Sequence, residues 1–335
     1  MTKDTTRRVD SAALVSIRFF QLRDLPDLDA LDARASDDAR RPQFPGGAEA
    51  RIAYRTPPLE VPLGESEIAL EGGTVFADVT ARVFDFGVVA LAKRVLVGGM
   101  EWDRFLDRIE QFEAACRTPD ALREEGRLIG SIDGMGADAV AAGSAGDAHL
   151  FVILRGVAGA VGADEAISDL DAVGIVAADR QPLSDVARVD VLRGGYSYHT
   201  DDLVLVGEER SFVLEGEPHR GVPDAIEAAL AQRHAHRALR DRLAASDRSN
   251  GRRVVTGTGR LLERAELAVE VRGGGHLPGV YATARDRLRV ADAELSAERR
   301  LAALRGTGGP SMSAVATIVG VLLVLLVVVL LLGGM

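Results

Sequence analysis

The sequence predicts an α+β fold: strands in the first two-thirds of the chain, helices in the last third and one apolar helix at the C-terminus. Three observations support this prediction. Alternating and β-branched runs lie before residue 216, helical apolar spacing dominates 222–305, and residues 314–332 carry no charge. Because strands and helices are segregated along the chain, α+β is favoured over α/β. The predicted units are an N-terminal mixed strand and helix domain (12–216), a helical juxtamembrane region (222–305) and a transmembrane anchor (313–333).

Composition limits the class of protein. The chain has 335 residues, a net charge of -10, 47% hydrophobic residues and 27% charged residues. This length predicts one large domain or two small ones, and the apolar fraction excludes a disordered chain. The single cysteine, Cys116, excludes an internal disulfide and a cysteine-clustered zinc site. The acidity argues against a general DNA-binding protein.

Short apolar runs predict the elements of the first domain. Residues 15–21 (VSIRFFQ) are β-branched and aromatic, as in a strand, and leucines at 25, 28 and 31 predict a helix with Asp27 near its start. A helix is also predicted over 101–115, where apolar residues recur at helical spacing. Further strands are predicted over 48–61, 67–70, 75–89 and HLFVILRGV, and two more over 196–214 around a GEER turn.

The last third of the chain predicts helices over 223–245, 261–271 and 278–304. In the last of these, Tyr281, Leu288 and Leu295 are spaced by seven, which is typical of a weak coiled-coil seam. This seam can pair with the earlier helix in a hairpin, or with another copy of the chain.

The strongest signal is the segment AVATIVGVLLVLLVVVLLL at 314–332. A helix of this length covers about 28 Å, close to the hydrocarbon core of a bilayer. A buried core helix is disfavoured because no polar face is present. The sequence therefore predicts a single tail anchor in the bilayer, marked by Ala314, Leu322, Leu326 and Leu332. The N-terminus carries no apolar run typical of a secretory signal.

Charge predicts the orientation of this anchor. Arg299, Arg300 and Arg305 precede it, so the positive-inside rule places the bulk of the chain in the cytoplasm, at the cell inner membrane. Residues 232–305 contain 16 Arg and 9 acids. We expect these arginines to contact anionic lipid, or to pair with acids of this or a neighbouring chain. Nucleic acid is the least favoured partner.

No set of residues predicts a reaction. His199 and Asp201 lie with Ser197 on one short run, and they are the weak catalytic candidates, but a cap at the start of a strand explains them as well. His234 and His236 are two residues apart, which places them on different faces of a helix and disfavours a metal site. GMGADA lacks the third glycine of the dinucleotide fingerprint. No cofactor and no metal are expected.

Several strings together resemble the required-for-meiotic-nuclear-division family, in its bacterial branch. They are VSIRFFQLRDLPDLDALD, ARVFDFGVVAL, PLSDVARVDVLRGGYSYHTDDLVLVG and the helix DAIEAALAQRHAHRALRDRL, in this order. Leu230 and Ala235 stand where the family carries an Asn and a Glu, whereas Gln232 and Arg237 remain. The resemblance implies a membrane-associated, oligomeric protein without an established enzymatic activity.

These observations favour a tail-anchored membrane scaffold or tether that faces the cytoplasm and associates with itself. Its protein clients are not identified by the sequence. Two alternatives stay open: a membrane-attached hydrolase or transferase that uses His199 and Asp201, and a ribosome-associated or RNA-associated factor that uses the arginines of 232–305. The first would be an enzyme, and the sequence leans against an enzyme.

Overall fold

The computed structural model describes residues 7–33, 51–136, 138–140, 145–158, 174–176, 187–191, 202–214, 221–245, 251–266, 269–272 and 277–306. The strands are β1 (Arg8–Gln21), β2 (Arg51–Tyr54), β3 (Leu59–Leu70), β4 (Gly73–Phe84), β5 (Val88–Val97), β6 (Met100–Glu101), β7 (His149–Ala158), β8 (Ala187–Val191), β9 (Asp202–Val206), β10 (Arg210–Leu214) and β11 (Val269–Arg272). The helices are α1 (Leu28–Asp32), α2 (Trp102–Cys116), α3 (Pro119–Gly130), α4 (Gly221–Ala245), α5 (Gly251–Glu266), α6 (Leu277–Arg287) and α7 (Val290–Gly306).

A nine-stranded sheet organises the described residues. Its strand order is β3-β4-β5-β1-β7-β10-β9-β8, and β6 adds to β1. β1 is a central strand because it pairs with β5 along one edge and with β7 along the other. Ile17, for example, is paired with Ala92 of β5 and with His149 of β7. Most pairs are antiparallel, but β7 and β10 are parallel. A second, two-stranded sheet joins β2 to β11.

Helices α2 and α3 cover one face of the large sheet. Phe105 and Phe112 of α2 are fully buried and share a cluster with Leu14 of β1 and Val152 of β7. The apolar spacing of α2 therefore forms core, as its sequence predicts. α3 begins with Thr118 as N-cap, whose hydroxyl accepts from the Ala121 N–H at 3.2 Å.

Helices α4 and α6 cover part of the opposite face. Ile226 and Ala229 of α4 and Ala284 of α6 share one buried cluster with Ile17 and Phe151 of the sheet. The helices of the last third therefore share a core with the strands. Both faces of the central strands are apolar, so helices are needed on both of them.

A buried amide ties the helices to one another. The Gln232 side chain on α4 donates to the Ala265 carbonyl of α5 at 3.1 Å. Its oxygen accepts from the Tyr281 hydroxyl of α6 at 2.7 Å and from Arg285 at 3.1 Å. Arg285 in turn pairs with Glu294 of α7 at 3.4 Å. Gln232 thus connects three helices directly, and Arg285 extends the network to a fourth.

The predicted fold class is wrong. The structure is a mixed α/β arrangement, with helices on both faces of a sheet that contains a parallel pair, because both faces of β1 and β7 are apolar. Within the described residues no helix combines the length and apolarity needed to cross a membrane, so the single C-terminal transmembrane helix is not supported. Residues 314–332, on which that prediction depends, lie outside the described residues.

The last predicted helix is broken. α6 ends at Arg287 and α7 begins at Val290, and Arg289 between them has a φ of 53°. A single coiled-coil seam over 278–304 therefore does not form within this chain. Leu288 is fully buried, whereas Leu295 is 43% exposed.

Candidate functional site

Part of the sheet face that carries α4 is left exposed. We call this patch the uncovered face and define it by Phe76, Asp78 and Thr80 of β4 and by Ala92, Arg94 and Leu96 of β5. Each of these side chains is exposed or half-buried. The strands are antiparallel, and Asp78 is paired with Arg94 and Thr80 with Ala92. The residues of the patch are therefore cross-strand neighbours on two adjacent strands.

Two large apolar side chains dominate the uncovered face. Phe76 is 60% exposed and Leu96 is 63% exposed. Each lies two residues beyond the Asp78–Arg94 pair, so the antiparallel register puts them on the same face of neighbouring strands. No other described large hydrophobic side chain is as exposed as these two. A single exposed apolar residue is ordinary, but an adjacent pair on a sheet face is typical of a contact surface.

A cleft of about 630 Å³ adjoins the uncovered face, between the sheet and the first turn of α4. Its floor is apolar, and its walls carry both acidic and basic side chains. The lining includes Val15, Ile17, Phe151, Ile153, Arg82, Glu60, Asp224 and Glu227, together with Asp78 and Arg94 of the uncovered face. The cleft and the uncovered face thus form one continuous surface.

A cluster of charges lines part of the cleft. Arg82 lies 3.0 Å from Glu60, 3.1 Å from Asp224 and 2.6 Å from Glu227. The carboxylate of Glu227 raises the pKa of Arg82 most, and the other two carboxylates add to this effect against the opposing effect of burial. Burial raises the pKa of Glu227 despite the attraction of Arg82. The cluster joins strands β3 and β4 to α4, and we interpret it as a structural anchor beside the surface.

The other face of the sheet holds a second, buried charge cluster. Arg18 donates to Glu125 at 2.7 Å, and Lys93 lies 3.4 Å from the same carboxylate. Arg18 also donates to the carbonyl of Cys116 at 2.7 Å. Burial raises the pKa of the Cys116 thiol to about 11, so the thiol is protonated at neutral pH. These contacts attach α3 to the sheet and leave Cys116 unsuited to nucleophilic chemistry.

One histidine has the partners of a catalytic pair but lies inside the sheet. His149 Nδ1 donates to the Glu208 carbonyl at 3.2 Å, which leaves Nε2 to accept from the Ser211 hydroxyl at 2.9 Å. Burial lowers the pKa of His149 to about 3. Ser211 is fully buried and His149 nearly so. A substrate cannot reach this hydroxyl in the described structure, so we interpret the pair as a link between β7 and β10.

The structure does not bring the site residues predicted from the sequence together. His199 and Asp201 lie outside the described residues, as do Ser197, Ala314, Leu322, Leu326 and Leu332. Arg299 and Arg300 are exposed on α7, and Arg305 lies in the same helix. His234 stacks on Phe19 with ring centroids 5.9 Å apart, and His236 is buried on another part of α4. Among the residues that the structure describes, no group of three or more His, Cys, Asp or Glu side chains is placed to hold a metal ion.

Sequence analysis missed the uncovered face, although one signal was present. In VFADVTARVF the apolar and polar residues alternate, and every second residue belongs to the polar set: Phe76, Asp78, Thr80 and Arg82. Phe76 is an aromatic residue at a position where alternation predicts a polar, solvent-facing side chain. Leu96 carries no such signal, because β5 is apolar on both faces along most of its length.

Comparison with known proteins identifies one family. The family described as the N-terminal domain of the uncharacterised protein MJ0711 matches residues 11–219, more than half of the chain. The match includes most of the large sheet, the uncovered face and α2 and α3, and it ends just before α4 begins at Gly221. No curated protein and no solved structure matches the chain.

Proposed function

We propose that this chain, which belongs to the family of the MJ0711 N-terminal domain, is a scaffold that binds another protein chain through its uncovered face. The observation that carries the proposal is the exposure of Phe76 and Leu96 side by side on the sheet. The burial of two such side chains would remove a large apolar area from water, which is the main driving force for protein association.

The shape of the surface supports the proposal. The apolar pair is bordered by Asp78 and Arg94, which resembles the apolar centre and polar rim of a protein interface. The cleft beside it, with Val15 and Ile17 in its floor, gives a partner side chain an apolar recess. Anchoring side chains that fill such recesses contribute most of the binding energy at many interfaces.

The placement of the reactive groups also favours a scaffold over an enzyme. His149, Ser211 and Cys116 are buried in contacts that hold the sheet and α2 and α3 together. The proposed hydrolase that uses His199 and Asp201 stays a prediction, and so does the proposed association with ribosomes or RNA. A location at the inner membrane likewise stays a prediction, and the scaffold proposed here does not depend on it.

We also propose kinship with the required-for-meiotic-nuclear-division family. Its support is the order of the similar strings along the chain. ARVFDFGVVAL forms the β4–β5 hairpin, where Gly87 has a φ of 79°, and DLVLVG, from residue 202 on, runs from β9 into its turn. Gln232, a residue shared with that family, connects α4 to α5 and α6.

Crosslinking tests the scaffold proposal. Cells would express the full chain, the double variant Phe76→Ser/Leu96→Ser, or the control Leu122→Ser. Leu122 is 37% exposed on α3, on the opposite side of the sheet, so the control removes a smaller exposed apolar side chain elsewhere on the protein. After crosslinking, quantitative mass spectrometry identifies what each chain retains and in what ratio.

We expect a defined, stoichiometric complex with the full chain and with Leu122→Ser, and a loss of at least tenfold with the double variant. Circular dichroism of the purified double variant must match that of the full chain. The proposal is wrong if the double variant keeps the whole complex, or if the full chain forms none.

A further inference from the structure

We infer that the partner on the uncovered face presents a basic amphipathic helix, with apolar residues along one face and lysine or arginine along one flank. The inference rests on the proposed function, since it gives the chemical class of the partner that binds the same surface. It follows from two carboxylates that border the uncovered face, from the length of strand left free beside α4 and from the edge of the sheet.

The outer strand β3 adds two acidic side chains next to the apolar pair. In the register of β3 and β4, Glu67 is paired with Phe76 and Glu65 is paired with Asp78. Residues directly opposite one another in an antiparallel pair point to the same face of the sheet, so both carboxylates border the uncovered face. Both side chains are exposed. β3 contains no lysine and no arginine, so this border carries only negative charge.

The carboxylates of Glu65 and Asp78 repel one another. They are directly opposite on neighbouring strands, and like charges in that arrangement destabilise a sheet. Arg94 is the neighbour of Asp78 on its other side, but two strand spacings, about 10 Å, separate the backbone of Arg94 from that of Glu65. Within the described residues no ion pair joins Glu65 or Glu67 to a basic side chain. A cation on the partner would therefore relieve a repulsion that the chain itself leaves in place.

The balance of charge over the whole surface also favours a basic partner. The uncovered face, its border on β3 and the adjoining cleft carry six acidic side chains, which are Glu60, Glu65, Glu67, Asp78, Asp224 and Glu227. The same surface carries three arginines, which are Arg82, Arg94 and Arg155. It would repel anionic lipid and nucleic acid, and it would attract a protein segment with lysine or arginine beside its apolar residues.

A helix matches the space on this part of the sheet. Elsewhere in the described structure helices cover the sheet, α2 and α3 on one face and α4 and α6 on the other. The first turn of α4 reaches β4 at Arg82. Phe76 precedes Arg82 by six residues, which corresponds to about 20 Å of strand, so about three helical turns fit beside α4. Glu65 and Glu67 lie about 7 Å apart along β3, so basic residues one helical turn apart can reach both.

Addition of a strand to the edge of the sheet is disfavoured by β3. This strand is the outer member of the sheet, but its ladder with β4 is interrupted between Pro62 and Gly64. Proline donates no backbone hydrogen bond, and an irregular ladder twists the edge away from a partner. Contact with the face is therefore favoured over contact with the edge.

Two designed peptides test the charge of the partner. Both are amphipathic helices with the same leucines at helical spacing. One carries lysines along a flank of the leucine stripe, and the other carries glutamates at the same positions. Fluorescence anisotropy measures the affinity of each peptide for the purified full-length chain. We expect the lysine peptide to bind at least tenfold more tightly than the glutamate peptide, and this preference to decrease as salt is raised.

Charge reversal on β3 locates the effect. We expect Glu65→Lys/Glu67→Lys to bind the lysine peptide at least tenfold more weakly than the full chain does, and to bind the glutamate peptide more tightly. The control Asp103→Lys/Asp107→Lys makes the same change in net charge at two exposed carboxylates of α2, on the other side of the sheet. It should keep the preference of the full chain, and circular dichroism must show the same fold in all three proteins. Equal affinity of the full chain for the two peptides, or an equal loss in the control, overturns the inference.

Photocrosslinking identifies the natural partner segment. p-Benzoylphenylalanine in place of Phe76 keeps an aromatic side chain on the uncovered face of the full chain in cells. Mass spectrometry then identifies the peptide that is joined to it. A segment with apolar residues at helical spacing and lysine or arginine beside them supports the inference. An acidic or uncharged segment overturns it.

The outcomes separate this inference from the scaffold proposal. If Phe76→Ser/Leu96→Ser abolishes the cellular complex but Glu65→Lys/Glu67→Lys keeps it, the scaffold proposal stands and the basic partner is wrong. If both variants keep the complex, the scaffold proposal fails and this inference fails with it. Loss of the complex in both variants, together with the reversed preference for the peptides, supports both.

Discussion

The guanidinium of Arg82 on β4 lies 2.6 Å from the carboxylate of Glu227 on α4, although 145 residues separate them in the chain. This contact joins the part of the chain matched by the family to a helix that lies beyond the match. Both residues also line the cleft beside the uncovered face. The position of α4 on the sheet therefore depends on an ion pair as well as on apolar packing.

Arg82→Met should destabilise the fold more than Glu227→Gln. Loss of the guanidinium leaves Glu60, Asp224 and Glu227 together without their cation, and we expect a cost of about 2–4 kcal/mol in the free energy of unfolding. Glu227→Gln removes one of three carboxylates and keeps the side-chain volume, so it should cost about 1 kcal/mol or less. Urea unfolding of the two variants measures the difference. Equal costs would contradict the interpretation of Arg82 as the centre of the cluster.

Acid should weaken the fold through its buried histidines. Burial lowers the pKa of His149 to about 3 and that of His234 to about 4. Between the ordinary value near 6.5 and these values, the unfolded chain binds protons that the native chain does not. The free energy of unfolding therefore falls as pH drops from about 6.5 towards 4, by at most about 1.4 kcal/mol per pH unit for each histidine.

His149→Gln tests this pH dependence. A glutamine amide can still donate to the Glu208 carbonyl and accept from Ser211, but it does not titrate. Urea unfolding at pH 7, 6, 5 and 4 should show a flatter loss of stability for His149→Gln than for the parent chain. His234→Gln, at the less depressed site, should flatten it less. An unchanged slope in both variants would show that these histidines do not govern acid sensitivity.

Cys116 should be inert in the native protein. Burial raises the pKa of its thiol to about 11, so almost no thiolate is present at pH 8. Labelling with a maleimide should be slower in the native chain than in urea by roughly a hundredfold or more. Asp78→Cys supplies an exposed thiol in the same chain as a positive control. Equally fast labelling of native and unfolded Cys116 would contradict its burial between α2 and the sheet.

Substitution of two glycines by alanine should change the stability of the protein in opposite directions. Gly87, in the β4–β5 turn, has a φ of 79°, and an added Cβ would lie 3.2 Å from the Leu25 side chain. Gly87→Ala should cost about 1–2 kcal/mol, because an L-residue is strained there. Gly126 lies within α3 and has open space around it. Gly126→Ala should stabilise the protein by about 0.5–1 kcal/mol, as measured by urea unfolding. The same sign for both variants would contradict the described backbone.

Local patterns predicted many elements correctly. The helix near Asp27 forms with that side chain as its N-cap, and the GEER turn joins β9 to β10. The stripe of 101–115 forms α2. These elements depend on caps, turns and apolar spacing within a short stretch of chain. Such signals can be read from the sequence because they do not depend on contacts with distant parts of the chain.

Other elements could not be predicted because distant residues decide them. The sequence predicts that Val269 and Val271 continue a helix, but they pair with Tyr54 and Ile52 in the small sheet. Backbone pairing with β2 supplies hydrogen bonds that compete with those of a helix. The order of strands is similarly non-local, since β10 inserts beside β7 and thereby separates β7 from β9.

The sequence by itself determined the chemistry that is available and most of the local elements: one cysteine, no dinucleotide fingerprint, an alternating β4 and an apolar stripe on α2. Only the tertiary structure decided which of these residues meet. Arg82 reaches Glu227, both faces of the sheet acquire helices, and Phe76 and Leu96 stay exposed beside Asp78 and Arg94. The physical reason is that caps and periodicity act over a few residues, whereas burial depends on which elements pack over a strand. That packing left one patch of the sheet open, and the proposed function of this protein rests on that patch.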